Sequence, residues 1–343
     1  MSETIENRSE LLFLYDITDA NPNGDPLNEN RPRMDEETEV NIVTDVRLKR
    51  TIRDYLSEYL MEEVFIKEEK TGAGTQKSRT RRLGEFLAKN MAEFHGWEKS
   101  LDALKGLNDT KIENEIGKIN LDQLEKALLK QYSDLRLFGA TIAVKKGTIT
   151  RTGPVQFKFG RSLHKVESMF IKGTTVMPSK EGLTQGTMTE IHILPYSLIC
   201  FYGIANENAA RHTGLTERDM GLLLEGMWNG TKNLITRSKF GQMPRLLLRV
   251  EYGRKNYHIG ELDKYIKLRT DIDEKEIRST KDYVLDIGKL VEKLEANRDK
   301  ILRISFKADD NIVFEAHGKN ATGSRLKELF TADLEVTEID VRA

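Results

Sequence analysis

The sequence has almost no cysteine and no long apolar run, and each shortage excludes a class of protein. A single cysteine, Cys200, rules out an intramolecular disulfide framework and fits a reducing compartment. No window is long and apolar enough to cross a membrane, and no N-terminal apolar segment follows a basic one. We therefore expect a soluble, cytoplasmic protein that has no membrane partner.

The sequence also lacks an excess of either charge, since 54 Lys and Arg face 55 Asp and Glu. A nucleic-acid-binding protein usually carries an excess of Lys and Arg, so the total does not favour that class. The signs are nevertheless segregated: residues 141–173 and 230–255 each contain seven basic residues and one acidic residue. Such a surface would let copies bind one another and still hold a polyanion. The alternative is ordinary solvated charge.

Metal and cofactor motifs are missing as well. The six histidines form no HExxH motif and no cluster with cysteine, and there is no phosphate-binding GxxxxGK[ST] loop. Asp19-x-Asn21-x-Asn23-Gly24 resembles the start of an EF-hand loop, but Asn30 stands where the closing glutamate belongs. We expect no metal and no cofactor. His164 and His212 are the candidates for acid–base ribonuclease chemistry, although scattered histidines are more often core or surface residues.

The N-terminal region predicts a strand, a rigid polar turn and a helix. Leu11–Ile17 reads as the strand, 19–26 as the turn, and Val43–Leu60 as a helix with Thr44 as its N-cap. The apolar residues of the helix repeat at the spacing of one buried face. On a helical wheel the opposite side carries Arg47, Lys49, Arg50 and Arg53. This basic stripe suits a phosphate backbone better than a small substrate.

Further elements complete an α+β fold. Residues 61–130 are charged and mostly helical in pattern, and residues 168–190 read as a protruding hairpin or mobile loop. We predict strands near Arg136–Val144 and Pro154–Phe159, a strand over Glu190–Tyr202, a helix that begins at Thr216, and strands over Arg245–Tyr252, Leu302–Phe306 and Ile312–Phe314. Without the insertions, the order β-α-β-β-α-β is the ferredoxin-like or RNA-recognition-motif arrangement.

Several motifs resemble one CRISPR family in order along the chain. They are Asn21-Pro22-Asn23-Gly24-Asp25-Pro26, Arg31-Pro32-Arg33, Val43-Thr44-Asp45-Val46 with Leu48-Lys49-Arg50, Asp134-Leu135-Arg136-Leu137-Phe138-Gly139, Gly153-Pro154-Val155-Gln156-Phe157, Gly160-Arg161-Ser162 and Gln185-Gly186-Thr187-Met188. Together they resemble the repeated backbone subunit of type I CRISPR Cascade complexes and are most similar to the subtype I-B form.

This resemblance implies a domain layout and a function. The palm, with an RNA-recognition-motif-like core, would comprise residues 1–60 and 131–343, the helical fingers 61–130, and the thumb hairpin about 168–190. The chain would be non-catalytic. It would polymerise along CRISPR guide RNA (crRNA), bind other Cascade subunits, and present the guide for pairing with target DNA in antiviral defence.

The resemblance also implies the contacts. The usual aromatic signature of the RNA-recognition motif is absent, which favours contact through phosphates over base stacking on the sheet. The predicted RNA-binding residues are Asn23, Arg47, Lys49, Arg50, Arg53, Gln156, Arg161, Arg237 and Lys239, and the thumb wedge would use Met177 and Met188. Each of these assignments has an alternative. The turn at Asn23 would only cap the next element, the loop with Arg237 and Lys239 would be a solvated hairpin, and the thumb methionines would pack beneath the thumb hairpin itself.

Two other functions are compatible with the sequence. A metal-independent ribonuclease would use histidines, and an autoregulatory nucleic-acid-binding protein would recognise one DNA site. No strong helix-turn-helix candidate favours the second.

Overall fold

The computed structural model describes residues 4–70, 74–174, 188–330 and 334–341, and the chain divides into two compact units. The smaller unit contains Met1–Ile5, Leu56–Val155 and Glu207–Gly221. The larger unit contains Glu6–Tyr55, Gln156–Asn206 and Leu222–Ala343. Each unit has a hydrophobic core made of its own residues.

The α-helices of the described residues are α1 (Asp45–Glu58), α2 (Arg79–Lys89), α3 (Leu101–Lys105), α4 (Asp109–Ile116), α5 (Leu121–Gln131), α6 (Ser133–Phe138), α7 (Glu207–Thr213), α8 (Glu217–Lys232) and α9 (Gly288–Glu295). The strands are β1 (Ser9–Ala20), β2 (Gly24–Asp25), β3 (Arg31–Pro32), β4 (Met34–Asp35), β5 (Val40–Val43), β6 (Gly139–Val144), β7 (Gly147–Thr152), β8 (Val155–Phe157), β9 (Gly160–Ser162), β10 (Met169–Thr174), β11 (Met188–Ala205), β12 (Met243–Tyr252), β13 (Lys267–Arg269), β14 (Val284–Asp286), β15 (Ile301–Ala308), β16 (Phe314–Ala316), β17 (Lys319–Ala321) and β18 (Val336–Glu338).

The larger unit is built around a sheet with the strand order β18-β15-β12-β1-β11-β9-β5-β4. The central strand β1 pairs antiparallel with β11 on one side and with β12 on the other. Its unbroken apolar sequence is explained by burial on both faces, because Leu12 and Leu14 belong to the main core cluster while Leu11 and Phe13 are fully buried outside that cluster. A smaller sheet, β13-β14-β16-β17, adds residues such as Leu285 and Phe314 to the same cluster.

Helices α1 and α8 of the larger unit pack closely because α8 carries two glycines one turn apart. A Cβ atom built at Gly226 would lie 2.9 Å from Cγ2 of Ile52, and one at Gly230 would lie 3.0 Å from Cβ of Tyr55. Any larger side chain at either position would push α1 away. This packing fixes the position of α1, which carries the predicted basic stripe.

The smaller unit contains helices α2 to α7 and the hairpin β6–β7, and its core includes Phe86, Trp97 and Leu128. The strand predicted near Arg136–Val144 is wrong for its first three residues, which belong to the helix Ser133–Phe138, and is confirmed over Gly139–Val144. Gly139 has φ 67°, which ends the helix and turns the chain into the strand.

The other predicted strands and helices are confirmed with shifted ends, except that the strand predicted over Ile312–Phe314 shares only Phe314 with β16. The predicted first helix begins at Asp45, directly after Thr44, and the strand over Arg245–Tyr252 begins two residues earlier at Met243. Thr216 precedes α8, and its amide and hydroxyl bond to the Asp219 carboxylate while the Asp219 amide bonds back to Thr216 Oγ1. Among the described residues, no helix is long and apolar enough to cross a membrane.

Candidate nucleic-acid interface

The predicted basic stripe on α1 divides by burial. Arg50 is exposed and forms an ion pair with Asp54 at 3.4 Å, whereas Arg47 and Arg53 are half-buried. Lys49 is only 8% exposed. The helical-wheel prediction is therefore wrong for Lys49, which does not lie on the solvent face of the helix.

Lys49 is buried because it sits close to the apolar face and has local partners. At 100° per residue it falls beside Leu56, well away from Arg50. Its ammonium group donates to Asp45 Oδ2 at 3.0 Å and to Gln156 Oε1 at 3.1 Å. The structure thus brings together two predicted RNA-binding residues, Lys49 and Gln156, but as partners of each other.

The basic loop between α8 and β12 lies beside the exposed side of α1. Burial lowers the pKa of Lys239, and the guanidinium groups of Arg47 and Arg50 lower it further, so the three cations are within electrostatic range. The loop is tethered to the end of β1, because the Asn21 amide donates to the Ser238 carbonyl at 2.8 Å. We call Arg47, Arg50 and Lys239 the basic cluster.

The positive charges of the basic cluster act on one another. Burial lowers the pKa of Arg47, and the Arg50 guanidinium adds to that effect, while Tyr15 and Asp54 oppose it. Like charges held this close repel, and an anion placed among them would relieve the repulsion. The predicted residue Arg237 is exposed on the same loop. Sequence reasoning missed Phe240, the exposed aromatic residue that follows Lys239, although an aromatic side chain inside a basic loop was a visible signal.

Asn23 fits the capping alternative. Its Oδ1 accepts hydrogen bonds from the backbone amide and the hydroxyl of Thr44, both at 2.9 Å. Its own carbonyl accepts from the amide of Arg33. The turn 19–26 therefore braces the start of α1. The neighbouring Asn21 donates its side-chain amide to the Asn30 carbonyl, so these two asparagines of the EF-hand-like pattern serve the turn itself.

Arg161 lies on β9, opposite Ile42 of β5. Its guanidinium donates to Asp35 Oδ2 at 2.8 Å, and the side chain is 53% exposed. The hydroxyl of Ser162 accepts from the Asn41 amide at 2.9 Å, which ties β9 to β5. This part of the Gly160-Arg161-Ser162 motif holds the sheet edge together.

The predicted thumb begins as a pair of strands. β10 pairs antiparallel with the first part of β11, from Met169 opposite Ile193 to Thr174 opposite Met188. Met169, Phe170 and Ile171 are 42–46% exposed, and the Phe170 and His192 rings lie 4.8 Å apart. Of the predicted wedge residues, Met177 lies outside the described residues, and the same holds for the side chain of Met188.

A cavity of about 890 Å³ opens between these strands and the 25–36 segment. Its lining combines Phe159, Phe170 and His192 with Arg31, Arg33 and the acidic residues Asp25, Glu29, Glu36 and Glu190. Four carboxylates against two guanidinium groups make it a poor phosphate site. The basic cluster is the better candidate for holding a polyanion.

Of the two candidate histidines for ribonuclease chemistry, His164 is a core residue. His164 is 2% exposed, its Nε2 accepts from the Leu198 amide at 3.2 Å, and its Nδ1 faces the Lys165 and Glu274 carbonyls. Burial lowers the pKa of His164, so the ring stays neutral. His212, by contrast, is exposed on α7.

The Asp134-Leu135-Arg136 motif is used for structure inside the smaller unit. Asp134 accepts from the Phe65 and Ile66 amides at 2.7 and 3.1 Å. Arg136 forms a bidentate pair with the buried Asp219 at 2.9 and 2.7 Å. The motif therefore anchors the Phe65–Ile66 segment and the start of α8 to α6.

Comparison with known proteins gives the family. A family model described as CRISPR-associated protein Cas7 matches residues 7–288. The CRISPR-associated protein Cas7 of Haloferax volcanii is 33% identical over 98% of both chains. In a solved CRISPR RNA-guided surveillance complex, pre-nicking, one chain shares the fold with a TM-score of 0.53 at 13% identity, covering 98% of this chain and 96% of that one. The chain belongs to the Cas7 family of CRISPR-associated proteins.

Proposed function

We propose that this chain is a non-catalytic backbone subunit that binds CRISPR guide RNA and polymerises along it in a type I Cascade complex in the cytoplasm. The basic cluster carries the proposal, because in this Cas7-family protein Arg50 lies close enough to Arg47 and Lys239 to lower the pKa of both. Each copy would hold the guide by its phosphates and leave the bases to pair with target DNA. Arg53 and Arg237 would extend the phosphate track. Asn23, Lys49 and Gln156 would brace it.

The strand order supports a palm with an RNA-recognition-motif-like core. Along the chain the elements β1, α1, β9, β11, α8 and β12 follow the β-α-β-β-α-β order. In the sheet the four strands lie in the order β12-β1-β11-β9, with every neighbouring pair antiparallel. That is the order 4-1-3-2 of ferredoxin-like folds. In this proposal residues 61–130 are the fingers and 168–190 the thumb.

The segregated charge supports assembly of the copies. A repeated subunit needs a heterologous interface, which builds an open helical filament along the RNA. The acidic stretch 108–125 and the basic stretch 141–173 supply charges of opposite sign for that contact, which leaves Lys239 of the stretch 230–255 to the RNA. Other Cascade subunits would cap the filament.

The decisive experiment measures binding of single-stranded RNA against salt concentration for the wild type and two variants, Arg50→Gln and Lys239→Gln. Each lost phosphate contact should make the slope of log affinity against log salt shallower by about 0.7. Lys105→Gln is the matched control, because Lys105 is an exposed lysine paired only locally with Asp102 in the smaller unit. The control should keep the wild-type slope.

Two readouts separate the alternatives. The RNA should keep its length on incubation, whereas a ribonuclease would shorten it. Particle mass should grow with RNA length if copies line up along the guide. A slope that changes equally in all three variants would contradict the assignment of the basic cluster, since total charge would then explain the binding.

A further inference from the structure

Phe240 is an exposed aromatic ring that no packing requirement explains. Its side chain is 66% exposed, whereas fully buried rings such as Phe13 and Phe201 fill the core of the larger unit. Such a ring presents a flat apolar face that a ligand can cover.

The surroundings of Phe240 are basic and open. Lys239 directly precedes it and belongs to the basic cluster with Arg47 and Arg50. On the other side, Gly241 has φ 83°, and a Cβ atom built there would meet nothing within 4 Å. The turn therefore leaves space beside the ring, next to three positive charges.

We propose that Phe240 stacks against one nucleobase of the bound single-stranded RNA while the basic cluster holds the adjacent phosphate. The inference rests on the proposed function and deepens it, since it gives the cluster a base contact that tolerates any sequence. Sites for single-stranded nucleic acids combine cations along the backbone with aromatic rings under the bases. Lysine is depleted at protein–protein interfaces, so the adjacent Lys239 favours RNA over a second protein.

The test compares Phe240→Ala with Phe240→Tyr and Ile235→Ala. Ile235 is equally exposed at 66% on the same loop but has no aromatic face. The probes are a mixed-sequence RNA of about 12 nucleotides and an abasic strand of the same length. Phe240→Ala should weaken binding of the base-containing RNA about 5- to 150-fold. Binding of the abasic strand should not change, and neither should the salt slope. Phe240→Tyr and Ile235→Ala should bind like the wild type.

A spectroscopic variant gives an independent readout. Trp97 and Trp228 are buried, so a tryptophan introduced by Phe240→Trp would report on the surface. Its emission should be quenched by the base-containing RNA and not by the abasic strand.

Each of the following outcomes would overturn the inference. Equal losses on both strands would show that no base is contacted. Equal losses of RNA affinity for Phe240→Ala and Ile235→Ala would indicate a general apolar surface. If Phe240→Ala forms smaller particles than the wild type in the absence of RNA, the ring contacts another copy of the chain. The proposed function is tested separately. If the wild-type protein binds no RNA, both the proposed function and the stacking are refuted. If Arg50→Gln weakens RNA binding and Phe240→Ala leaves the affinity unchanged, only the stacking is refuted.

Discussion

Replacing Gly160 by alanine should destabilise the larger unit, because there is no room for a methyl group. A Cβ atom at this position would lie 2.4, 2.6 and 2.7 Å from three ring carbons of Phe201, which is about 1 Å inside the usual contact distance. The ring cannot swing away, since Phe201 is fully buried and stacks on Tyr15 with centroids 6.2 Å apart. Overpacking of this kind costs about 1–3 kcal/mol.

Urea unfolding followed by tryptophan fluorescence measures this cost. Gly221→Ala is the matched control, because Gly221 is exposed on α8 and a Cβ atom there meets nothing within 4 Å. That substitution should stabilise the protein by about 0.5–1 kcal/mol. In a Phe201→Leu background the penalty of Gly160→Ala should shrink, since the clashing ring is gone. An equal penalty in both backgrounds, or none in either, would refute the reasoning.

Three further predictions concern buried polar groups. Asp219→Asn should lower the free energy of unfolding by about 3 kcal/mol, because Arg136 keeps its charge without a carboxylate, and urea unfolding measures it. Lys49→Met should cost about 1–3 kcal/mol, since its half-buried partners Asp45 and Gln156 lose their donor, whereas Arg50→Met should change the urea midpoint little. Burial lowers the pKa of His164, so below about pH 6.5 the unfolded chain takes up a proton that the folded chain does not. Stability should therefore fall between about pH 7.5 and 5.5, and His164→Gln should flatten that fall.

Local sequence patterns predicted the long elements but missed a short helix and the burial of Lys49. The apolar run of β1 and the periodic face of α1 were sufficient to predict both. The short helix Ser133–Phe138 has too few residues for a period to be read, and its end depends on the positive φ of Gly139. Lys49 was assigned to the wrong face of α1, although 100° per residue places it beside Leu56. Its partner Gln156 lies more than a hundred residues later and is not visible from the helix alone.

The basic cluster also joins residues that are far apart in sequence, and the pairing of β1 with β12 brings them together. These two strands are antiparallel neighbours, so the end of β1 lies beside the start of β12. Here Asp16 pairs with Met243, and the loop just before β12 therefore meets the turn just after β1. That turn braces the start of α1 through Asn23 and Thr44. The loop with Lys239 is consequently held near Arg47 by the topology itself. A change that loosens the turn, such as Asn23→Ala, should weaken RNA binding without removing any charge.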